Sequence, residues 1–93
     1  MFERILKRMR EQVRARQYVM TLHCEEEMSD DDLSIFDVES AILTGKIIER
    51  QKEQATAEWK YLVQGQNIES AQMIVAAKLS PTGKLVFITV YRE

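Results

Sequence analysis

An α+β domain is the fold class this sequence predicts, and three observations predict it. Apolar residues recur at three- and four-residue steps through residues 2–17 and 34–44, and the period changes to two after Gly45. Turn residues punctuate the second half, as they do where strands follow one another in a meander. Ninety-three residues, 45% hydrophobic and 30% charged, suffice for one small globular core and no more. The expected architecture is two N-terminal helices, or three if residues 23–28 coil, packed on a four-stranded antiparallel sheet.

Residues 1–17 form the first helix. Phe2, Ile5, Leu6, Met9 and Val13 fall on one face, and Glu3 with Lys7 makes an i,i+4 pair in the favourable order. Tyr18 to Leu22 is a short apolar stretch, extended or connecting. The segment from His23 to Met28 can make one short helix, and Ser29-Asp30-Asp31-Asp32 reads as its end and a turn, because Ser and Asp side chains bond to the nearby backbone.

The helix at 34–44 is the best marked. Ser34 is placed as its N-cap, with Asp37 three residues on in a capping-box arrangement, and Ile35, Val38, Ala41 and Ile42 form its apolar stripe. Gly45 is expected at the C′ position in the left-handed conformation. Residues 46–92 then supply the sheet. Lys46–Arg50 is the first strand, and 51–57 a polar connection. Glu58–Gln64 is the second strand, Gly65-Gln66-Asn67 a turn, and Ala71–Leu79 the central third strand. Ser80-Pro81-Thr82-Gly83 is the last turn and Lys84–Tyr91 the closing strand. Simple alternation groups Val86, Ile88 and Val90, so Ile88 joins Val38 and Val75 as a predicted core residue. It leaves Tyr61, Tyr91, Thr89, Gln72 and Lys78 for a polar-tipped outer face.

Composition narrows the function classes. No apolar run approaches the roughly 20 residues of a membrane span, and Arg and Lys break up what would be a signal-peptide core. A single cysteine, Cys24, excludes an intramolecular disulfide, so the expected compartment is the cytoplasm, with no membrane partner. The net charge of -2 hides a strong asymmetry. Residues 1–17 carry six bases against two acids, whereas 25–39 carry eight acids and no base. A basic helix of this kind is a nucleic-acid candidate through Arg4, Lys7, Arg8, Arg10 and Arg14. The acidic run has neither the glycine nor the ligand spacing of a calcium loop. His23, Cys24 and Glu27 lack a second ligand cluster, so neither metal nor other cofactor is expected.

The polar-tipped sheet face is the remaining chemical candidate. RNA cleavage needs a group to take the 2′-hydroxyl proton, a group to protonate the leaving oxygen and a cation for the phosphorane charge. Tyr, Lys, Arg and His supply all three without metal. Lys60, Tyr61, Tyr91 and Arg92 are the residues of those types in the strands, with His23 ahead of them.

The run of motifs from Thr21 to Tyr91 resembles a bacterial family of small proteins of unknown function placed with the RelE/BrnT/MqsR-like toxin superfamily. The matching pieces are "TLH" at 21–23, "LSIFDVESAILTGKIIE" at 33–49, "YLVQG" at 61–65 and "LVFITVY" at 85–91. The resemblance implies a RelE-like fold, a messenger-RNA endonuclease activity and an antitoxin partner. His23, Tyr61 and Tyr91 are the positions it carries over. Similar proteins follow the histidine with arginines, whereas this chain has Cys24-Glu25-Glu26-Glu27-Met28-Ser29-Asp30-Asp31. Carboxylates beside a phosphate path repel RNA, which shifts the expected RNA contact to the basic first helix. The leading expectation is therefore a toxin-like component of a toxin–antitoxin pair, a ribonuclease or a catalytically weakened relative. The rivals are a non-catalytic protein-interaction module and a homodimer formed through an exposed sheet edge.

Overall fold

In a computed structural model of the chain, residues 2–53, 55 and 58–93 are described. Three helices and five strands follow in the order α1 (Glu3–Arg14), β1 (Tyr18–Met20), α2 (Leu22–Asp30), α3 (Ile35–Thr44), β2 (Lys46–Lys52), β3 (Trp59–Gln66), β4 (Gln72–Leu79) and β5 (Leu85–Arg92). The strands form one mixed sheet in the order β1-β5-β4-β3-β2. The α+β class and the antiparallel run β2 to β5 match expectation. The sheet has a fifth strand, however, and it is not purely antiparallel. Tyr18, Val19 and Met20 pair in parallel with Leu85, Val86 and Phe87. Three residues are too few for periodicity to declare a strand, and their partner lies at the far end of the chain.

Local chemistry ends each helix. Arg16, at φ 56°, closes α1 as the amide of Gln17 reaches back to the Gln12 carbonyl. Asp32, at φ 54°, closes α2 in the same way, with the Leu33 amide on the Met28 carbonyl. Both are left-handed C′ positions filled by residues other than glycine. Ser34 caps α3 in a full capping box with Asp37. Gly45, by contrast, is extended and not left-handed. Its glycine serves close approach, since a Cβ there would lie 2.5 Å from the Ala41 carbonyl oxygen and 2.6 Å from that of Gln64. Gly65 is likewise no turn residue. It sits inside β3 under α3, where a Cβ would meet Ala41 Cα at 2.8 Å. The β3–β4 turn is made instead by Asn67, whose side chain accepts from the amides of Glu69 and Ala71, both at 2.9 Å. The β4–β5 turn is as expected, with Gly83 at φ 91°. The 51–57 connection lies partly outside the described residues, and β2 runs on through its first two positions.

One helix-packed core fills the space between α1, α2, α3 and one sheet face. It centres on Met9, Val38, Ile42, Val63, Met73, Val75, Leu85, Phe87 and Val90, all fully buried. Val38 and Val75 are core residues as predicted, whereas Ile88 is only half-buried. The cause is a β-bulge. The register steps from Ala76 opposite Thr89 to Ala77 opposite Phe87, so Ile88 is the extra residue and the face inverts there. Leu85 and Phe87 before the bulge and Val90 after it therefore face the helices. Tyr61 also departs from its assigned outer face. It pairs with Ala77, is buried under α1 and meets the Phe2 ring edge-on at 5.9 Å.

Candidate functional site

The five residues nominated for cleavage chemistry do not converge. Tyr61 lies on the helix side of the sheet. Lys60 adjoins it in β3 and so points to the other side, as does Tyr91, which pairs with Ile74. Arg92 is fixed at the end of β5, where its Nε donates to the Asp31 carbonyl at 3.0 Å. Its charge also bears on Asp37. Burial alone would raise the Asp37 carboxyl, but amide hydrogen bonds from Ser34 and Ile68, with the Arg92 charge, hold it below the ordinary aspartate value.

His23 stands in the first turn of α2 with its side chain 67% exposed, 3.3 Å from Glu27 Oε1. That carboxylate is already engaged. It accepts the Thr89 hydroxyl and, at 3.2 Å, the Val90 amide. Thr21 caps α2 by accepting from the Cys24 amide and donates its own hydroxyl to the Ile88 carbonyl at 3.0 Å. Thus α2 runs along the edge of β5 beyond the end of β1 and satisfies its backbone. Glu27 acts there as the acceptor a strand carbonyl would otherwise provide. Cys24 beneath it is fully buried. Burial, with Glu27 and Glu25 nearby, pushes its thiol up to about 11, which makes it an inert core residue. Among the described residues, no group of three or more His, Cys, Asp and Glu side chains is placed to hold a metal ion.

The basic helix divides by flank. Arg10 turns toward α3, where Nε donates to the Ile42 carbonyl at 3.1 Å and a terminal nitrogen to that of Gly45 at 2.7 Å. It neutralises the carbonyl end of α3 and is committed to the fold. Arg8 lies on the other flank and lines a cleft of about 430 Å³. Arg4 is one turn back on that same flank. Ile5, Trp59, Tyr61, Leu79 and Pro81 give the cleft apolar and aromatic walls, and Glu58 and Ser80 contribute polar groups. The Arg50 guanidinium stacks 4.0 Å from the centroid of Trp59, with Lys52 Nζ at 5.8 Å from the same ring. Register explains the cluster. Arg50 pairs with Tyr61 and Lys52 with Trp59, so all four share the helix-side face. Trp59, the only tryptophan, remains 41% exposed.

The candidate site is thus a half-open aromatic cleft, flanked by Arg8 from α1 and by Arg50 and Lys52 from β2. Sequence reasoning nominated Arg8 and Tyr61 for different roles and missed Arg50, Lys52 and Trp59. A hairpin pairing of "ERQK" with "EWKY" is the available signal, but its register depends on the bulge at Ile48 and on β2 continuing to Lys52.

The family model described as Domain of unknown function (DUF4258) matches residues 20–92. No curated protein and no solved structure matches the chain.

Proposed function

We propose that this chain, a member of the DUF4258 family, is a toxin-like, RNA-binding protein, a catalytically weakened relative of the metal-free messenger-RNA-cleaving toxins that its sequence motifs resemble. The observation behind this reading is the Arg50–Trp59 stack beside the Arg8–Tyr61 cleft. Single-stranded RNA is held by ring planes for its bases and cations for its phosphates. Trp59 offers a half-exposed ring. Arg50 and Lys52 beside that ring and Arg8 in the adjoining cleft offer three cations.

The separation of the candidate cleavage groups supports the catalytically weakened form of this reading. The only histidine is on α2, Tyr91 is on the opposite sheet face and Arg92 is held by Asp31. Of the nominated cleavage groups, Tyr61 alone lines the cleft. It is largely buried, which leaves it suited to shaping the floor. Glu58, the carboxylate of the cleft, lies 3.4 Å from Lys78. Lys78 is also paired with Glu53, so Arg8 is the cation the cleft itself offers to phosphate charge, and no imidazole stands there to exchange protons.

The test is a labelled, unstructured RNA oligonucleotide incubated with the full chain, with binding read by anisotropy and cleavage on a denaturing gel. The expected result is salt-sensitive, micromolar binding with slow or no cleavage. Arg8→Glu combined with Arg50→Glu removes it. Arg14→Glu, about 120° around the helix from Arg8, leaves it nearly unchanged. Equal binding by the parent and the double variant overturns the proposal, and rapid cleavage overturns its catalytic half.

A further inference from the structure

The two edges of the sheet are finished differently. On the β5 side, α2 takes over where β1 stops, and Thr21 and Glu27 satisfy the backbone of Phe87, Ile88 and Val90. On the other side, β2 ends the sheet, and among the described residues no element pairs with its outer edge. Beside that edge, α1 and β2 bound an apolar groove of about 280 Å³ lined by Phe2, Leu6 and Ile47, with Glu3 and Lys46.

We propose that the β2 edge and this groove accept an extended acidic–apolar segment of another protein as a sixth strand. Ile47, Arg50 and Lys52 share the helix-side face through their pairing with Val63, Tyr61 and Trp59. A strand added beyond β2 sets one side chain against each of them. An apolar side chain opposite Ile47 enters the groove between Phe2 and Leu6. Carboxylates opposite Arg50 and Lys52 meet cations. Main-chain hydrogen bonds then supply affinity, while the groove and the charges select the partner.

A second copy of this chain is the wrong occupant on charge grounds. In a two-fold antiparallel pair, β2 faces itself. Centred on Ile48, the pairing sets Lys46 against Arg50. Centred on Glu49, it sets Glu49 against itself and Lys46 against Lys52. Centred on Arg50, it opposes two guanidinium groups. Each central register places like charges opposite, which destabilises a strand pair. The bulge at Ile48 further discourages indiscriminate pairing. The positive excess of Lys46, Arg50 and Lys52 over Glu49 instead fits carboxylates. Arg50 and Lys52 also border the aromatic cleft, but strand addition needs no RNA and is tested without it.

The experiment titrates isotope-labelled full chain with capped seven-residue peptides. One valine and two glutamates alternate with threonines in these peptides, made in both chain directions. The matched controls carry lysine in place of glutamate. The expected result is amide shifts and slowed exchange confined to Lys46–Lys52, with side-chain shifts at Leu6 and Ile47. Affinity should be on the order of 10⁻⁴ M for one glutamate peptide and at least tenfold weaker for its lysine control. Lys46→Glu with Lys52→Glu, both at exposed positions, should reverse that preference. Equal binding of the two peptides, no binding, or shifts elsewhere overturns the proposal. So does concentration-dependent protection of β2 without peptide, which assigns the edge to a second copy.

Discussion

Val90→Ala and Ile88→Ala form a matched pair across the bulge in β5. Alternation without a bulge puts both residues on one face. The observed register puts Val90 in the core at 0% exposure and leaves Ile88 half-buried. Truncating Val90 removes two methyl groups from a fully packed site. At about 0.8 kcal/mol each, with a further contribution from the cavity left behind, the cost is about 2 kcal/mol. Truncating Ile88 removes more carbon, but from a surface already partly wet, so its cost is about 1 kcal/mol or less. A domain of this size has a total stability of roughly 5–14 kcal/mol, so the first loss is readily measured. It corresponds to a fall in Tm of about 8–16 °C, against at most about half that for Ile88→Ala. Urea and thermal unfolding followed by circular dichroism, analysed as two-state transitions, give both values. A larger cost for Ile88→Ala than for Val90→Ala would refute the bulge and restore simple alternation.

Other consequences concern the edge, the cap and the thiol. Glu27→Ala should cost about 1–3 kcal/mol because it strips the acceptor from the Val90 amide and the Thr89 hydroxyl, and Glu27→Gln should recover most of it. Amide exchange at Val90 checks this, since it should accelerate in the alanine variant. Asp37→Asn should cost about 1 kcal/mol through loss of the capping box. The folded-state pKa of Asp37 is depressed, so its ionised form stabilises the fold. That contribution is present above the ordinary aspartate value and is lost as pH falls through the folded pKa, while the asparagine variant should lack this acid limb. Cys24, with its thiol near 11, should resist an aromatic disulfide reagent at pH 8 in the native state and react at once in denaturant.

Much of the fold was legible because its signals were local. Ser34 and Asp37 lie three residues apart, and their reciprocal bonds form as their types dictate. The Ser80–Gly83 turn and the helical spacing of Met9 and Val13 are equally local. What could not be read depended on distant partners. β1 exists because Tyr18–Met20 meets Leu85–Phe87 across most of the chain. Gly65 looked like a turn residue because glycine in sequence gives no sign that Ala41 will press against it. The candidate site was half legible for the same reason. Arg8 stood out in a charge block, but so did Arg10, and only the packing of α1 beside α3 sends Arg10 to the Ile42 and Gly45 carbonyls. Trp59, Arg50 and Lys52 gather through cross-strand pairing, whose register depends on the bulge at Ile48 and on β2 continuing into the expected 51–57 connection.

Because Trp59 is the only tryptophan, its fluorescence reports directly on the aromatic cleft. The most direct measurement is a titration of the full chain with single-stranded RNA, followed by tryptophan quenching between 50 and 200 mM salt. Stacking of a base on the exposed ring should quench the signal. Phosphate contacts by Arg8, Arg50 and Lys52 should give a log–log salt slope of about -2, or roughly a fifteenfold loss of affinity across that range. Quenching that saturates, with that slope, and that disappears in Arg8→Glu with Arg50→Glu is the predicted result. Binding detected by anisotropy with Trp59 fluorescence unchanged, or a slope unaltered by the double variant, would place RNA elsewhere and contradict the reading of this cleft.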